Sequence, residues 1–486
     1  MLFNSYEFIF LFLPLTFIGF FSLAKFCGKK SATFWLVIMS FFFYGWWDYR
    51  YVPLLFASIC FNYFIGGILE RRVAGLRGKV YLGFGILLNV LLLGYFKYTD
   101  FFLDTINQLD GAVLFDLPHI VLPLGISFFT FTQTAYLIDA YRGETRNASF
   151  LTYCEFVTIF PHLIAGPIIN HRKMIPQFLA DATFRIDYRN VAIGISLFTM
   201  GLFKKVVIAD KLSPLVSLVF ADPAQLSFFE AWMGALAYTF QLYFDFSGYS
   251  EMAIGLGLMF NLKFPTNFNS PYQAESIIDF WRRWHMTLGL WVKDYLYIPM
   301  GGNRHGELQK MRNLFASMLI IGLWHGAGWT FVFWGGLHGV FLMINHQWRR
   351  LHISFPRFIN VALTFLCVVI CWVFFRAGTF TDAVSILSRM SDFSNIVLPA
   401  GGICEHYFGF LQLAGIQFIS WNIGDSILQE TKLILALMLV LFVCPNPVEI
   451  IKHFTPNKKW LVIIIVLFIY AMLKLDNYTE FLYFQF

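Results

Sequence analysis

Long apolar segments separated by short polar loops run along the whole chain. Many of them approach the roughly 20 residues that a helix needs to cross the hydrocarbon core of a bilayer. Others are shorter or contain glycine and proline, which predicts tilted or re-entrant helices surrounded by protein. The pattern predicts an all-α polytopic membrane protein with a single domain over residues 1–486. The apolar segments lie at approximately 8–24, 32–47, 51–69, 80–96, 119–140, 150–170, 190–209, 228–246, 249–262, 312–324, 327–346, 357–375, 405–421, 431–444 and 459–473.

The composition agrees with a membrane protein and argues against other classes. Hydrophobic residues make up 58% of the 486 residues and charged residues 13%, whereas soluble domains carry about 25% charged residues. The strict alternation of a membrane β-barrel is absent. The seven cysteines contain no CxxC pair, so the sequence predicts neither a disulfide framework nor a zinc site.

The net charge of +6 comes from basic residues in short loops and does not indicate nucleic-acid binding. Lys25, Lys29 and Lys30 follow the first apolar segment, and the positive-inside rule predicts that this loop is cytoplasmic and the N-terminus external. The chain contains no Walker loop, no GxGxxG and no GxSxG motif. We therefore expect neither a nucleotide-binding domain nor a serine hydrolase domain.

A polar stretch rich in tryptophan, Asp279-Phe-Trp-Arg-Arg-Trp-His285, interrupts the apolar pattern. Its tryptophans are typical of the membrane interface, and an anchor helix lying on the surface is one interpretation. Asp279 precedes Arg282 and Arg283 by three and four residues, so these side chains can pair on one helix face. His285 closes this charged cluster just before an apolar turn, which makes it a candidate functional residue.

A second histidine, His325, lies inside an apolar run in the sequence Gly322-Leu-Trp-His-Gly-Ala-Gly328. An ionisable group within a membrane segment is costly and is a functional hypothesis by default. An imidazole can accept a proton from a nucleophile near neutral pH. A core histidine hydrogen-bonded to a neighbouring helix is the alternative interpretation.

His338 follows 13 residues after His325. At about 100° per residue it would lie roughly 220° away on one unbroken helix, so we expect a structural or supporting role for it. The spacing matches no known metal-ligand pattern, and no metal is expected.

Two carboxylates, Asp245 and Glu251, also lie in apolar sequence. They could orient a histidine, pair with Arg282 or Arg283, or line a water-filled passage. A transporter with an intramembrane path for protons or substrate, formed by these carboxylates and the histidines, is therefore one reading of the chain. A scaffold that only recruits export machinery is another.

The last six residues, 481–486, include four aromatic residues and follow the apolar segment at 459–473. They place the phenol of Tyr483 on a tether that could fold back into a buried site. A phenol has a pKa of about 10 and needs a general base to become a good acyl acceptor. His325 could supply that base.

The sequence resembles the membrane-bound O-acyltransferase family, and within it the bacterial alginate O-acetyltransferase type. The resemblance covers nearly the whole chain. It is carried by these stretches: Met1 to Pro14, Tyr95-Phe-Lys-Tyr98, Leu122-Pro-Leu-Gly-Ile-Ser-Phe128, Phe160-Pro-His-Leu-Ile-Ala-Gly-Pro167, Leu242-Tyr-Phe-Asp-Phe-Ser-Gly-Tyr-Ser250, Phe280-Trp-Arg-Arg-Trp-His285, Tyr295-Leu-Tyr-Ile-Pro-Met-Gly-Gly-Asn303 and Leu323-Trp-His-Gly326.

The resemblance implies a ring of roughly 11–13 transmembrane helices, with re-entrant and interfacial helices, around a central tunnel. It implies that His325 is catalytic, that His285 is its essential companion and that Tyr483, in a tail at 474–486, relays the acyl group. Four residues would support the reaction or line the tunnel: Asp245, Arg282, Trp324 and His338.

The resemblance also implies the substrates and partners. The donor would be a cytoplasmic acyl thioester such as acetyl-CoA, with no bound cofactor. The protein would span the bacterial inner membrane and pass the acyl group to a periplasmic SGNH-type O-acetyltransferase. That partner would acetylate a polysaccharide such as alginate, cellulose or peptidoglycan. Nothing in the sequence distinguishes among these polymers.

Overall fold

The chain is predominantly helical in the computed structural model, which describes residues 1–71, 75–145, 148–353, 355–399, 409, 412, 416–419, 427–452, 454–475 and 482. Among these residues, five helical stretches are long and apolar enough to cross a membrane. They are Phe8–Phe26, Tyr49–Glu70, Leu76–Asp110, Tyr188–Ala221 and Arg357–Arg376. Their length and apolar character agree with the predicted all-α polytopic membrane fold.

The N-terminal part of the chain alternates long helices with short, broken ones. The predicted segment at 150–170 is interrupted near Pro161 and Pro167, as its sequence indicates. The α-helices of this part are α1 (Leu13–Phe26), α2 (Lys29–Gly45), α3 (Val52–Glu70), α4 (Leu76–Asp110), α5 (Ile126–Tyr141), α6 (Phe150–Thr158), α7 (Phe160–Leu163) and α8 (His171–Leu179).

The remaining helices include the longest buried element and two short helices in the tryptophan-rich stretch. They are α9 (Tyr188–Phe203), α10 (Asp210–Ala221), α11 (Phe228–Met259), α12 (Ile277–Arg283), α13 (Met286–Val292), α14 (Glu307–His325), α15 (Trp329–Trp348), α16 (Arg357–Arg376), α17 (Phe380–Met390), α18 (Ile427–Val443), α19 (Pro447–Lys452) and α20 (Lys458–Met472).

Short segments of other geometry join these helices. Three π-helices lie at Phe8–Phe12, Lys204–Ala209 and Lys293–Tyr297, and 3-10 turns lie at Tyr49–Tyr51, Asp181–Phe184, Pro223–Gln225, Pro271–Gln273 and Phe393–Asn395. Strand β1 (Val397–Pro399) pairs in parallel with β2 (Gln417–Ile419). Most of the apolar segment at 405–421 lies outside the described residues. The longest described part of it contains strand β2.

Helix α11 lies at the centre of the protein, because nearly every residue from Ala237 to Gly257 is buried. The apolar segments at 228–246 and 249–262 form this one continuous helix. It packs closely against α9, where a Cβ atom on Gly201 would lie 2.4 Å from the carbonyl oxygen of Gly248. Small residues at such contacts let helix backbones approach within a membrane.

Helices α14 and α15 form an antiparallel hairpin that carries one candidate histidine on each arm. A Cβ atom on Gly322 would lie 2.3 Å from the carbonyl oxygen of Phe331, and one on Gly335 would lie 2.3 Å from that of Met318. No larger residue fits at these crossings, so the glycines fix how the two arms pack.

Candidate active site

His285 is held in a strained backbone position between two short helices. Its φ of 43° and ψ of 52° lie in the left-handed region, which non-glycine residues rarely adopt. Asn267 fixes the chain beyond it, because its carbonyl oxygen accepts from the Met286 N–H (2.9 Å) and its side-chain oxygen accepts from the Thr287 hydroxyl (2.9 Å). Strain of this kind persists only where surrounding contacts enforce it, and it clusters at functional sites.

His325 is the last residue of α14, at the point where the chain turns into α15. Its ring contacts Trp334 at 5.2 Å and Phe375 at 5.3 Å between ring centroids. Both side chains belong to neighbouring helices, so the imidazole lies in an aromatic enclosure with 5% of its surface exposed.

The structure brings the two predicted histidines together. The ring centroids of His285 and His325 are 6.4 Å apart, and His285 is fully buried. Trp324 lies against His285 at 6.3 Å on one side and stacks on Phe131 at 4.9 Å on the other. Phe246 of α11 contacts the His285 ring at 4.9 Å. The histidine pair is therefore enclosed by aromatic rings.

His338 is closer to this pair than the sequence predicted. The expectation that it lies on a different face from His325 assumed one unbroken helix, whereas the chain turns at Gly326 and the two residues lie on opposite arms of a hairpin. Both rings contact Trp334, at 5.2 Å for His325 and 4.9 Å for His338. The Trp281 indole N–H donates to Nδ1 of His338 (3.3 Å). His338 is thus a buried neighbour of the pair.

Of the alternatives that the sequence leaves open for Asp245 and Glu251, pairing with Arg282 or Arg283 is wrong. Asp245 pairs with Lys205 at 2.7 Å, and Glu251 pairs with Lys204 at 2.6 Å. The π-helix Lys204–Ala209 joins α9 directly to α10. Its wider helical turn directs both lysines toward α11. Lys205 also contacts Asp210 at 2.7 Å, which gives a buried cluster of one ammonium and two carboxylates.

The C-terminal tail reaches this buried cluster. The Leu482 backbone N–H donates to Oδ2 of Asp245 (3.1 Å), and Leu482 is 6% exposed. Tyr483, the predicted relay residue, lies outside the described residues. Its chain neighbour is nevertheless held on α11, one residue along from Phe246, which contacts His285.

Arg282 does not pair with Asp279, which instead accepts from Arg283 at 2.9 Å. Arg282 lines a cavity of about 870 Å³ together with three further basic residues, Lys293, Arg304 and Lys310. Within the described part of the chain, only Lys310 of these four forms an ion pair, with Glu307. The other three cations are available to an anionic ligand.

The cavity is lined by chain neighbours of both histidines, although neither His285 nor His325 lines it. Met286, which follows His285, and Ile321, one turn before His325, both line it. One wall is a glycine turn in which Gly301 and Gly302 have φ values of 102° and 57°, a region that favours glycine. Asn313 donates to the carbonyl oxygen of Gly302 (3.0 Å) and so attaches this wall to α14.

Asp139 is another buried carboxylate, and it lies in a polar cluster outside the cavity lining. The Tyr295 hydroxyl donates to Asp139 (2.6 Å), and Arg142 and Arg172 lie 3.7 and 3.6 Å from the same carboxylate. Burial lowers the pKa of His171, which lies 3.5 Å from Asp139, to about 4. His171 is therefore neutral at pH 7, and the two arginines supply the compensating charge.

A sequence profile of the membrane-bound O-acyltransferase family matches residues 79–380. The chain belongs to this family. The protein is therefore an acyltransferase and a multi-pass membrane protein. The matched region includes His285, His325, His338 and Asp245, whereas Tyr483 lies beyond its end.

Several bacterial members of the family are similar to this O-acyltransferase over most of its length. A peptidoglycan O-acetyltransferase of Helicobacter pylori is 45% identical over 430 residues, which cover 82% of this chain and 81% of the relative. A probable alginate O-acetylase of Pseudomonas putida is 38% identical over 514 residues, which cover 100% of both chains. A teichoic acid D-alanyltransferase of Bacillus subtilis is 26% identical over 274 residues, which cover 54% of this chain and 69% of the relative.

Sequence reasoning missed the buried lysines of this acyltransferase. Lys204 and Lys205 lie within the apolar segment at 190–209, as His325 lies within an apolar run. The rule that an ionisable residue within a membrane segment deserves a functional hypothesis applies equally to them. Their partners could not be predicted, because the rotation of α9 relative to α11 is set by glycine contacts.

Proposed function

We propose that this acyltransferase takes an acetyl group from a cytoplasmic thioester and carries it across the membrane on Tyr483. The acetyl group is then used for O-acetylation of an extracytoplasmic polysaccharide. The observation that carries the proposal is the pair of buried histidines, 6.4 Å apart, beside a basic cavity.

The cavity fits an anionic thioester donor such as acetyl-CoA. Its four basic side chains provide charge for phosphate groups, and three of them have no acidic partner among the residues that the structure describes. A pocket of one charge sign raises the local concentration of an oppositely charged ligand. Met286 and Ile321 line the cavity, and they lie next to His285 and one turn before His325 in the chain, which supports entry of the thioester from this side.

The first step is an ester exchange that the histidine pair can promote. His325 accepts the proton of the Tyr483 phenol as the phenolic oxygen attacks the thioester carbonyl carbon. The new carbon–oxygen bond forms, the carbon–sulfur bond breaks, and the departing thiolate takes the proton back from His325. His285 lies beside His325 and supports its position and charge during this exchange.

The contact between Leu482 and Asp245 supports the role of the tail. A polar backbone group buried within a membrane protein needs a partner, and Asp245 provides one. This anchor fixes the residue next to Tyr483 beside the helix that carries Phe246. The acetylated phenol is an aryl ester, which is an energetic donor suited to a second transfer.

The similar proteins support an envelope polymer as the acceptor. The names of the similar proteins specify alginate and peptidoglycan, and cellulose is a further envelope polymer whose hydroxyl groups could accept an acetyl group. A separate periplasmic SGNH-type O-acetyltransferase, the partner that the family resemblance implies, would transfer the acetyl group to the polymer. The enzyme would accordingly lie in the bacterial inner membrane.

The alternative that the protein is a transporter is disfavoured by its family and by the partners of its buried carboxylates. The family is one of acyltransferases, and both carboxylates proposed for a proton path are paired with lysines at 2.7 and 2.6 Å.

The test is polymer acetylation in cells whose only copy of the gene carries Tyr483→Phe. This change removes one oxygen atom and leaves the aromatic tail in place, so membrane protein levels should equal those of the wild type. We expect acetylation of the polymer to be abolished. Normal acetylation in this variant would refute the tyrosine relay.

A further inference from the structure

The helix that carries His325 ends inside the protein with three consecutive carbonyl groups held by another helix. The Lys97 ammonium donates to the carbonyl oxygens of Trp324 (2.5 Å) and His325 (3.0 Å). The Tyr98 hydroxyl donates to the carbonyl oxygen of Leu323 (2.8 Å). Adjacent residues of α4 thus satisfy the end of α14.

These contacts satisfy carbonyl groups at the end of α14 that have no hydrogen-bond donor within the helix. The last four carbonyl groups of a helix have no partner within the helix. His325 is followed by the turn at Gly326–Gly328, and water is scarce at this depth, so the carbonyl groups require donors from elsewhere. A cation also interacts favourably with the negative end of the helix dipole.

Helix α4 contacts the other side of the same turn as well. Phe101, one helical turn after Lys97, packs against Trp329, the first residue of α15, with ring centroids 5.4 Å apart. One face of α4 therefore touches the chain immediately before and immediately after the turn. Movement of α14 relative to α15 at His325 would break one of these contacts.

We propose that Lys97 is a positioning residue for the acyl transfer, acting through the backbone of His325. The inference rests on the proposed role of His325 as the general base. Lys97 fixes the last turn of α14 and thereby the direction of the imidazole. It contributes to turnover without touching the donor, since the cavity that would hold the donor is formed by other residues.

The informative change is Lys97→Met, which keeps an unbranched apolar side chain and removes all three donors. A displacement of about 1 Å at a catalytic group can reduce the rate by about 100-fold. We therefore expect kcat for acetyl transfer from acetyl-CoA to fall at least about tenfold, with KM changed by less than about twofold. Lys97→Arg restores a charged donor and should recover part of kcat.

The matched control is Lys79→Met on the same helix. Lys79 is exposed, and among the described residues its side chain forms no hydrogen bond or ion pair. This variant should keep wild-type kcat and KM. Tyr98→Phe provides a milder second variant, since it removes one donor and keeps the ring, and it should lower kcat by a smaller factor.

Hydrogen exchange of backbone amides provides a readout that does not depend on the identity of the acyl donor. In full-length Lys97→Met protein in detergent, amides near residues 322–326 should exchange about tenfold faster, while those at 307–315 keep the wild-type rate.

If Lys97→Met leaves exchange at 322–326 unchanged, the positioning role is refuted. If the wild type transfers no acetyl group from acetyl-CoA, the proposed donor is wrong, and the exchange result still decides the role of Lys97. If Lys97→Met does not fold, the same two readouts on Tyr98→Phe decide it.

Discussion

The hydrogen bond between the tail and Asp245 can be removed by a substitution that deletes only its backbone N–H donor. Proline has no backbone N–H, so Leu482→Pro deletes the donor of the 3.1 Å hydrogen bond to Asp245. Leu482→Val is the matched control, because it also shortens the side chain but keeps the N–H. The comparison of these two variants isolates the hydrogen bond from the packing of the side chain.

The size of the effect follows from the surroundings of Asp245. A hydrogen bond to a charged group contributes about 1.5–3 kcal/mol. Asp245 keeps Lys205 at 2.7 Å when the tail leaves, so its charge stays compensated and the lower end of this range applies. A loss of about 1.5 kcal/mol corresponds to roughly a tenfold lower ratio of docked to undocked tail, which lowers the docked population by up to about tenfold.

The assay is the initial rate of Tyr483 acetylation in purified full-length protein given acetyl-CoA, combined with limited proteolysis of the tail. Leu482→Pro should be acetylated about tenfold more slowly than Leu482→Val and cleaved faster in the tail. Equal rates of acetylation and of cleavage in the two variants would show that the Asp245 contact does not dock the tail.

Two further predictions concern the buried charges and the donor cavity. Lys205→Met leaves two buried carboxylates without their cation and should destabilise the protein by about 3–5 kcal/mol, seen as a lower midpoint of thermal unfolding; the exposed Lys211→Met should not change it, and equal midpoints would contradict the structural role of the cluster. Combining Lys293→Gln with Arg304→Gln removes two cavity cations and should raise KM for acetyl-CoA about tenfold while kcat stays near the wild-type value. This rise in KM should shrink at high salt because exposed charges are screened, and an unchanged KM at low salt would place the donor elsewhere.

The proximity of His285 and His325 can be predicted only from the family motifs that contain them. His285 and His325 are 40 positions apart, and no periodicity relates a short interfacial segment to the end of a distant helix. The resemblance to a family implied that they act together, and the structure places their rings 6.4 Å apart. Burial was easier to predict, because an ionisable residue in apolar sequence must be enclosed by protein or water.

The errors have physical causes that the sequence does not reveal. The angle between His325 and His338 was computed for an unbroken helix, whereas Gly326 and Gly328 turn the chain back on itself. Pairing with an arginine is one of the alternatives that the sequence leaves open for Asp245, whereas a π-helix directs Lys205 toward it. Both outcomes depend on backbone geometry at a single turn, which hydrophobic patterning does not specify.

The most direct test of the central claim is peptide mass spectrometry of the full-length protein after incubation with acetyl-CoA. Wild type, Tyr483→Phe and His325→Ala should be compared under identical conditions. We expect the wild-type C-terminal peptide to gain the mass of one acetyl group and both variants to lack this gain. An acetyl group on the same peptide in Tyr483→Phe, or a wild-type gain that persists in His325→Ala, would contradict the proposed nucleophile or the proposed base.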